Sequence, residues 1–228
     1  MKYFPFNSDV DFKIKELLNL INLRKNGETA FVMNSNGITY RYNYGVSISH
    51  LEAIAANQLV RFEICERLWF MEIRETMILA TILLSPNQLN FETACDWSKL
   101  VVNEDIARHS AKNLFSQQSY SIKLVTYLLT TKTHYQNVLA VYILAGAIKS
   151  QSIMLEDIIS AVASQILTSN YWNTHIPVTP ISFLMQQIIR YSPEGKSFAL
   201  QQENLLRNFT NPNWHLIAEN IYTESLYS

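Results

Sequence analysis

The sequence predicts an all-α protein whose antiparallel helix pairs stack into a right-handed superhelical array, an α-solenoid. Three observations support this prediction. Apolar residues recur at helical spacing along most of the 228 residues, as in the stripe formed by Ile159, Val162 and Ile166. Only 5 glycines and 6 prolines interrupt the chain, so its elements are long. No alternating apolar pattern is long enough to indicate a sheet.

The helices of the first half follow from apolar stripes, capping residues and breaks. Ser8 or Asp9 caps the first helix. Ser49 and Glu52 fit a capping box, in which the Ser oxygen and the Glu carboxylate each accept a backbone N–H. Pro86 breaks the chain after a long apolar helix. The expected helices are Asp9–Arg24, Glu28–Met33, Ser49–Ala56, Arg61–Phe70, Glu72–Leu84, Phe91–Val102 and Asn103–Phe115.

The second half continues the same pattern and suggests a repeat. The second helix of each pair recurs at roughly 30–45 residues, the period range of two-helix solenoid repeats. We therefore expect one domain over 1–228, with N-terminal helices and a turn over 1–45 and helix-pair repeats over 46–228. The inner face of such an array is the usual binding surface. The expected helices are Tyr120–Leu129, His134–Lys149, Leu155–Leu167, Thr179–Tyr191, Ser197–Phe209 and Pro212–Tyr227.

Composition excludes several classes of function. Hydrophobic residues make up 48% and charged residues 16%, which predicts a folded chain. No run approaches the ~18 apolar residues of a membrane span, and the N-terminus lacks an export signal, so a cytoplasmic protein is expected. Cys65 and Cys95 lack metal-ligand spacing, which predicts buried free thiols. No metal or cofactor is predicted, since glycine-rich phosphate loops and nucleophile elbows are also lacking.

The distribution of charge is more informative than the net charge of -1. Residues 106–155 contain no Asp or Glu, although several basic residues lie there. Two interpretations stay open: these residues form one cationic surface, or they are separately solvated on helix faces. The basic residues are Arg108, Lys112, Lys123, Lys132 and Lys149.

One ordered set of motifs resembles a known family. Tyr44-Gly45-Val46 leads into a capped helix, Leu68-Trp69 ends the next helix, and Arg74-Glu75 begins another with an apolar tail. This order resembles the AlkD-like DNA alkylation repair proteins, the HEAT-like-repeat alkylpurine DNA glycosylases. The resemblance covers most of the chain in helix order and 44–84 in motif; the last helix, which contains Trp214, is also similar to the family's closing helix.

The polar residues of this region are expected to serve the fold. We expect Trp69 to lie in the core. Glu72, Arg74 and Glu75 are expected to tie consecutive repeats together by charge-assisted hydrogen bonds.

The resemblance also implies a catalytic motif, Trp-Asp-x-x-Asp, and this chain does not match it. In the family an aromatic ring packs the lesion-bearing sugar, and a carboxylate stabilises the cationic sugar as the base leaves. The corresponding stretch, 101–107, retains only Glu104 and Asp105 as candidate carboxylates. Both residues equally suit the first turn of a helix capped by Asn103, where negative charge is favourable.

Two further family features are only partly present. At the position of the family's Trp-x-Arg-Arg motif the chain has His134 and Tyr135 but neither arginine, which predicts weaker binding to DNA phosphates. The aromatic residue expected within 181–190 is replaced by polar and aliphatic side chains around Met185. Trp172 precedes that helix and is interpreted either as a groove residue or as a packed anchor.

The predicted function is therefore that of a DNA alkylation repair-like helical-repeat protein. It would bind double-stranded or structured DNA through a concave groove, and its sequence does not match the family's catalytic motif. Two alternatives stay open: an active alkylpurine DNA glycosylase that uses Glu104 or Asp105, and a scaffold that binds a protein or peptide. The candidate DNA contacts are Arg108, Lys112, Lys132, His134, Tyr135, Lys149 and Trp172.

Overall fold

The computed structural model describes residues 3–56, 58–131, 133–150, 162–167, 172, 175–192 and 194–228. Within these ranges the secondary structure is helical, without a β-strand. An isolated bridge joins Tyr42 to Ile73. The all-α prediction is confirmed. The chain forms two compact units, Met1–Leu114 and Phe115–Ser228, called here the N-terminal and C-terminal units.

The helices of the N-terminal unit contact one another in an alternating order. Helices α1, α3, α5 and α7 pack in succession, and α4 packs against both α1 and α5. The helices are α1 (Ser8–Asn22), α2 (Gly27–Ser35), α3 (Ile48–Ala55), α4 (Phe62–Phe70), α5 (Arg74–Leu83), α6 (Phe91–Ser98) and α7 (Glu104–Asn113).

Two tryptophans anchor the core of this unit. The rings of Trp69 and Trp97 stack with centroids 4.9 Å apart and planes 8° apart, and both side chains are fully buried. Trp69 Nε1 donates to the carbonyl of Trp97 at 3.2 Å, which satisfies its buried N–H. The expectation that Trp69 lies in the core is confirmed.

The C-terminal unit is packed around two of its helices. Helix α9 packs against α8 and α10, and α10 packs in turn against α11 and α12. Helix α9 is apolar around its circumference and buried along most of its length, so it forms the centre of the unit. The helices are α8 (Ser121–Thr130), α9 (His134–Lys149), α10 (Val178–Tyr191), α11 (Gly195–Leu206) and α12 (Pro212–Tyr227), and residues 162–167 are also helical.

Several predicted helix ends are wrong by a few residues, with identifiable causes. The capping box at Ser49 is wrong: α3 is capped by Ser47, whose Oγ accepts the N–H of His50 at 3.4 Å. Helix α5 begins at Arg74 because neither of the two residues before it is helical: Glu72 has a φ of 56°, and Ile73 is extended, with φ of -100° and ψ of 131°. Residues 155–161 of the helix predicted over 155–167 lie outside the described residues.

Candidate functional site

The segment from Thr39 to Val46 is fixed by the beginning of helix α5. The fully buried carboxylate of Glu75 accepts the backbone N–H groups of Tyr44 and Val46 at 3.0 and 3.1 Å. Arg74 Nη1 donates to the carbonyl of Val46 at 2.9 Å and lies 3.3 Å from Glu75 Oε1. The charge-assisted hydrogen bonds expected of Arg74 and Glu75 are therefore present, and they bind this segment to α5.

The same arginine joins α5 to α7 through Asp105. Arg74 Nε donates to Asp105 Oδ2 at 2.8 Å, and the Tyr40 hydroxyl donates to the same oxygen at 2.9 Å. Nearby, Asn103 Nδ2 donates to the carbonyl of Thr39 at 2.7 Å. These contacts join three parts of the chain, 39–46, α5 and α7, in one polar network.

The second oxygen of Asp105 faces α7 itself. His109 Nε2 lies 3.3 Å from Oδ1, and Arg108 Nη2 lies 3.6 Å from the same oxygen. Burial opposes the charge of Asp105, but contacts with His109 and Arg74 outweigh it and hold the pKa of Asp105 well below its usual range. Burial and the Asp105 carboxylate raise the pKa of Tyr40, so its hydroxyl remains a donor.

This arrangement places the two candidate catalytic carboxylates in different surroundings. Asp105 is 6% exposed; Arg74 and Tyr40 donate to its Oδ2, and His109 lies 3.3 Å from its Oδ1. Glu104 is half-buried in the first turn of α7. Asn103 caps that helix, because its Oδ1 accepts the N–H of Ile106 at 3.0 Å. Both carboxylates therefore lie where the helix-cap interpretation expects them.

The predicted DNA contacts of the N-terminal unit share one face of α7. The side chains of Arg108 and Lys112 are 58% and 69% exposed and lie four residues apart on the helix. Lys112 Nζ lies 4.0 Å from Glu52 Oε1 on α3.

The predicted DNA contacts that lie on α9, in the C-terminal unit, are far apart along that helix. His134 and Tyr135 begin this helix, and Lys149 ends it, about 22 Å away at the rise of an α-helix. Trp172 is buried, and its Nε1 donates to the carbonyl of Ile166 at 2.8 Å, as the packed-anchor interpretation expects. Its ring meets His134 edge-on at 5.9 Å. Lys132 lies outside the described residues.

Sequence reasoning did not single out Tyr40 and His109, although both contact Asp105. Neither belongs to a spaced motif: Tyr40 lies in an irregular segment 65 residues from Asp105, and His109 is one polar residue within a helix. The spacing of His109 from Asp105, one helical turn, is the one signal that sequence offered.

Further observations bear on partners and on the cysteines. Cys65 and Cys95 are free and buried, as predicted, and burial raises the pKa of the Cys65 thiol to about 12. In the described part of the chain, no helix is long and apolar enough to cross a membrane. The same residues hold no cluster of three or more His, Cys, Asp or Glu side chains that would bind a metal ion. Comparison with protein-family models, curated proteins and solved structures gives no match.

Proposed function

We propose that the protein is a DNA alkylation repair-like helical-repeat protein that binds the DNA backbone without excising bases. Its helix pairs would form a right-handed superhelical array with a concave binding groove. The successive packing of α1, α3, α5 and α7 in the N-terminal unit supports the repeat architecture, because alternate helices lie side by side there.

The observation that carries the proposal is the exposed cationic face of α7. Arg108 and Lys112 project from one side of this helix, at the start of the segment without acidic residues. The side chains of Arg108 and Lys112 are 58% and 69% exposed. Exposed cations one helical turn apart suit phosphate oxygens, which dominate the affinity of proteins for DNA.

The surroundings of Asp105 support the proposed absence of base excision. Stabilising a cationic sugar requires a carboxylate directed at the reacting carbon. The Asp105 carboxylate is instead directed at Arg74, Tyr40 and His109 within the protein. Releasing it would break the network that joins α5 and α7.

Salt-dependent binding tests the DNA-binding part of the proposal. Affinity for duplex and branched DNA is measured by fluorescence anisotropy from about 50 to about 200 mM salt. Each phosphate contact contributes about 0.9 to the slope of log K against log salt, so two contacts cost about 12-fold in affinity over this range. The variant Arg108→Glu/Lys112→Glu should bind more weakly and lose that part of the slope.

Lys15→Glu/Lys99→Glu is the matched control, since it makes a similar charge change at two other exposed residues of the same unit. Equal losses in both double variants would indicate a general effect of net charge. Absence of wild-type binding at low salt would refute DNA binding and leave a protein or peptide partner.

Release of methylated bases tests the proposed absence of base excision. Alkylated DNA is incubated with the protein, and 3-methyl- and 7-methylpurines are quantified against a no-protein control. Release at background is expected. Release above background that falls in Glu104→Gln or Asp105→Asn would overturn the proposal and identify the catalytic carboxylate.

A further inference from the structure

A cleft of about 490 Å³ in the N-terminal unit collects basic side chains from separate parts of the chain. It is called here the N-terminal cleft. Arg24 and Lys25 follow α1, and His50 lies on α3; Arg24 is half-buried, and the other two are exposed. The remaining polar lining comes from Asn26, Thr29 and Ser47. Among the described residues, the lining contains no carboxylate.

The beginnings of helices α2 and α3 meet at this cleft. Asn26 caps α2 by accepting the N–H of Thr29 at 3.0 Å, and Ser47 caps α3. The other first-turn N–H groups of a helix have no partner within it, and the partial positive charge there attracts anions. These amides add to the field of the three basic side chains.

Gly45 makes this approach possible. Its φ is 70°, and a Cβ at this position would lie 1.9 Å from the carbonyl oxygen of Asn26. The Asn26 N–H also donates to the carbonyl of Tyr44 at 2.8 Å. The backbone before α3 is therefore packed against Asn26, the N-cap of α2, and this contact holds the cleft in shape.

The basic side chains are positioned by contacts that leave donors available. Arg24 Nη1 donates to the carbonyl of Leu20 at 3.0 Å. This hydrogen bond uses one of the five N–H groups of the guanidinium. Lys25 Nζ lies 4.0 Å from the centre of the Tyr44 ring, a cation–π contact that retains the positive charge. Glu28 in the first turn of α2 is an exposed acid outside the lining.

We propose that the N-terminal cleft binds a phosphate monoester. A dianionic phosphate with three terminal oxygens suits convergent Arg, Lys and His donors, hydroxyls and helix amides. The cleft volume lies in the range that holds a small organic ligand, so the phosphate would carry a group of about nucleotide size. This site is distinct from the α7 face and does not depend on DNA binding there.

The test is calorimetric titration of the full chain with AMP, with adenosine and inorganic phosphate as comparison ligands. AMP should bind and adenosine should not. Arg24→Gln/Lys25→Gln should weaken AMP binding by about tenfold, since two charge-assisted contacts in an open cleft are lost. His50→Gln provides a second, independent variant. Circular dichroism should show unchanged folding, because neither Arg24 nor Lys25 is a core residue.

Lys15→Gln/Lys99→Gln is the matched control and should retain wild-type affinity for AMP. Arg108→Glu/Lys112→Glu should retain it too, which separates this site from the proposed DNA-binding face. Absence of AMP binding, equal affinity for adenosine, or unchanged affinity in Arg24→Gln/Lys25→Gln would overturn the proposal.

Competition identifies the source of the phosphate. A short single strand with a 5′-phosphate and the same strand with a 5′-hydroxyl are each titrated against bound AMP. Displacement by the phosphorylated strand alone assigns the cleft to a DNA end. Displacement by neither strand assigns it to a free phosphorylated small molecule.

Discussion

Replacing Arg74 with Met removes the cation from the buried network while keeping an unbranched side chain of similar length. Three contacts are lost: to Asp105 Oδ2 at 2.8 Å, to the Val46 carbonyl at 2.9 Å, and to Glu75 Oε1 at 3.3 Å. Two carboxylates are left behind. The side chain of Asp105 is 5% exposed and that of Glu75 is 0% exposed, so solvent compensates neither charge.

The expected cost follows from that burial. Removing one partner of a buried ion pair costs about 3–5 kcal/mol, because the remaining charge stays desolvated. The whole free energy of unfolding of a typical protein is about 5–15 kcal/mol. Arg74→Met should therefore lower the free energy of unfolding by a large fraction and release the 39–46 segment from α5.

A double-mutant cycle with urea unfolding measures the coupling. Asp105→Asn removes one stranded carboxylate, so Arg74→Met/Asp105→Asn should lose less stability than the sum of the single variants. Arg190→Met is the control, because the exposed Arg190 pairs with Glu224 at the surface and its loss should barely change stability. Additivity of Arg74→Met and Asp105→Asn within about 0.5 kcal/mol would show that the ion pair does not carry the stability assigned to it.

Three further predictions rest on single features. Gly45→Ala should destabilise the protein by about 3 kcal/mol or more, because strain at positive φ and a clash with the backbone combine. Gly37→Ala is the control: its φ is 79° but the space around it is open, so it should cost only about 1 kcal/mol. Thermal unfolding measures both variants. The pKa of Asp105 is lowered in the folded state, so its contribution to stability is complete above about pH 4 and is lost as the pH falls further. Asp105→Asn should therefore remove that part of the acid dependence of the free energy of unfolding, measured by urea titration. A pH profile identical to that of the wild type would contradict this prediction. The thiol of Cys65 should react with a thiol reagent only after unfolding, and rapid native labelling would be inconsistent with its burial and raised pKa.

The helices could be predicted because they leave a local signal. Apolar periodicity and turn residues placed α9 and α12 at their observed ends. The beginning of α3 could not be placed from sequence, because Ser47 and Ser49 are both good capping residues. Ser47 is the cap since its backbone is extended, with φ of -66° and ψ of 153°, next to the buried Val46.

Only part of the surroundings of the candidate carboxylates could be predicted from the sequence. The position of Asp105 in the first turn of α7 follows from local sequence, as does the capping role of Asn103. The pairing of Asp105 with Arg74, 31 residues away, depends on the packing of α5 against α7, which no local pattern encodes. The N-terminal cleft was missed for the same reason: Arg24 follows α1, His50 lies on α3, and the two meet only through the turn at Gly45.

The turn at Gly45 connects the scaffold of this unit to its candidate binding surfaces. Its neighbours on both sides are held by the Glu75 carboxylate, Arg74 extends that attachment to α7, and Gly45 itself packs against the start of α2. The cationic side chains of the cleft and of the α7 face lie at the edge of this buried network. Among them, Arg108 Nη2 is 3.6 Å from Asp105 Oδ1, a longer contact than those that Arg74 and Tyr40 make with the same carboxylate. Substitutions at these peripheral residues should therefore change ligand binding with a smaller loss of stability than substitutions in the network. A stable Arg108→Glu/Lys112→Glu variant beside an unstable Arg74→Met variant is the pattern that this separation requires.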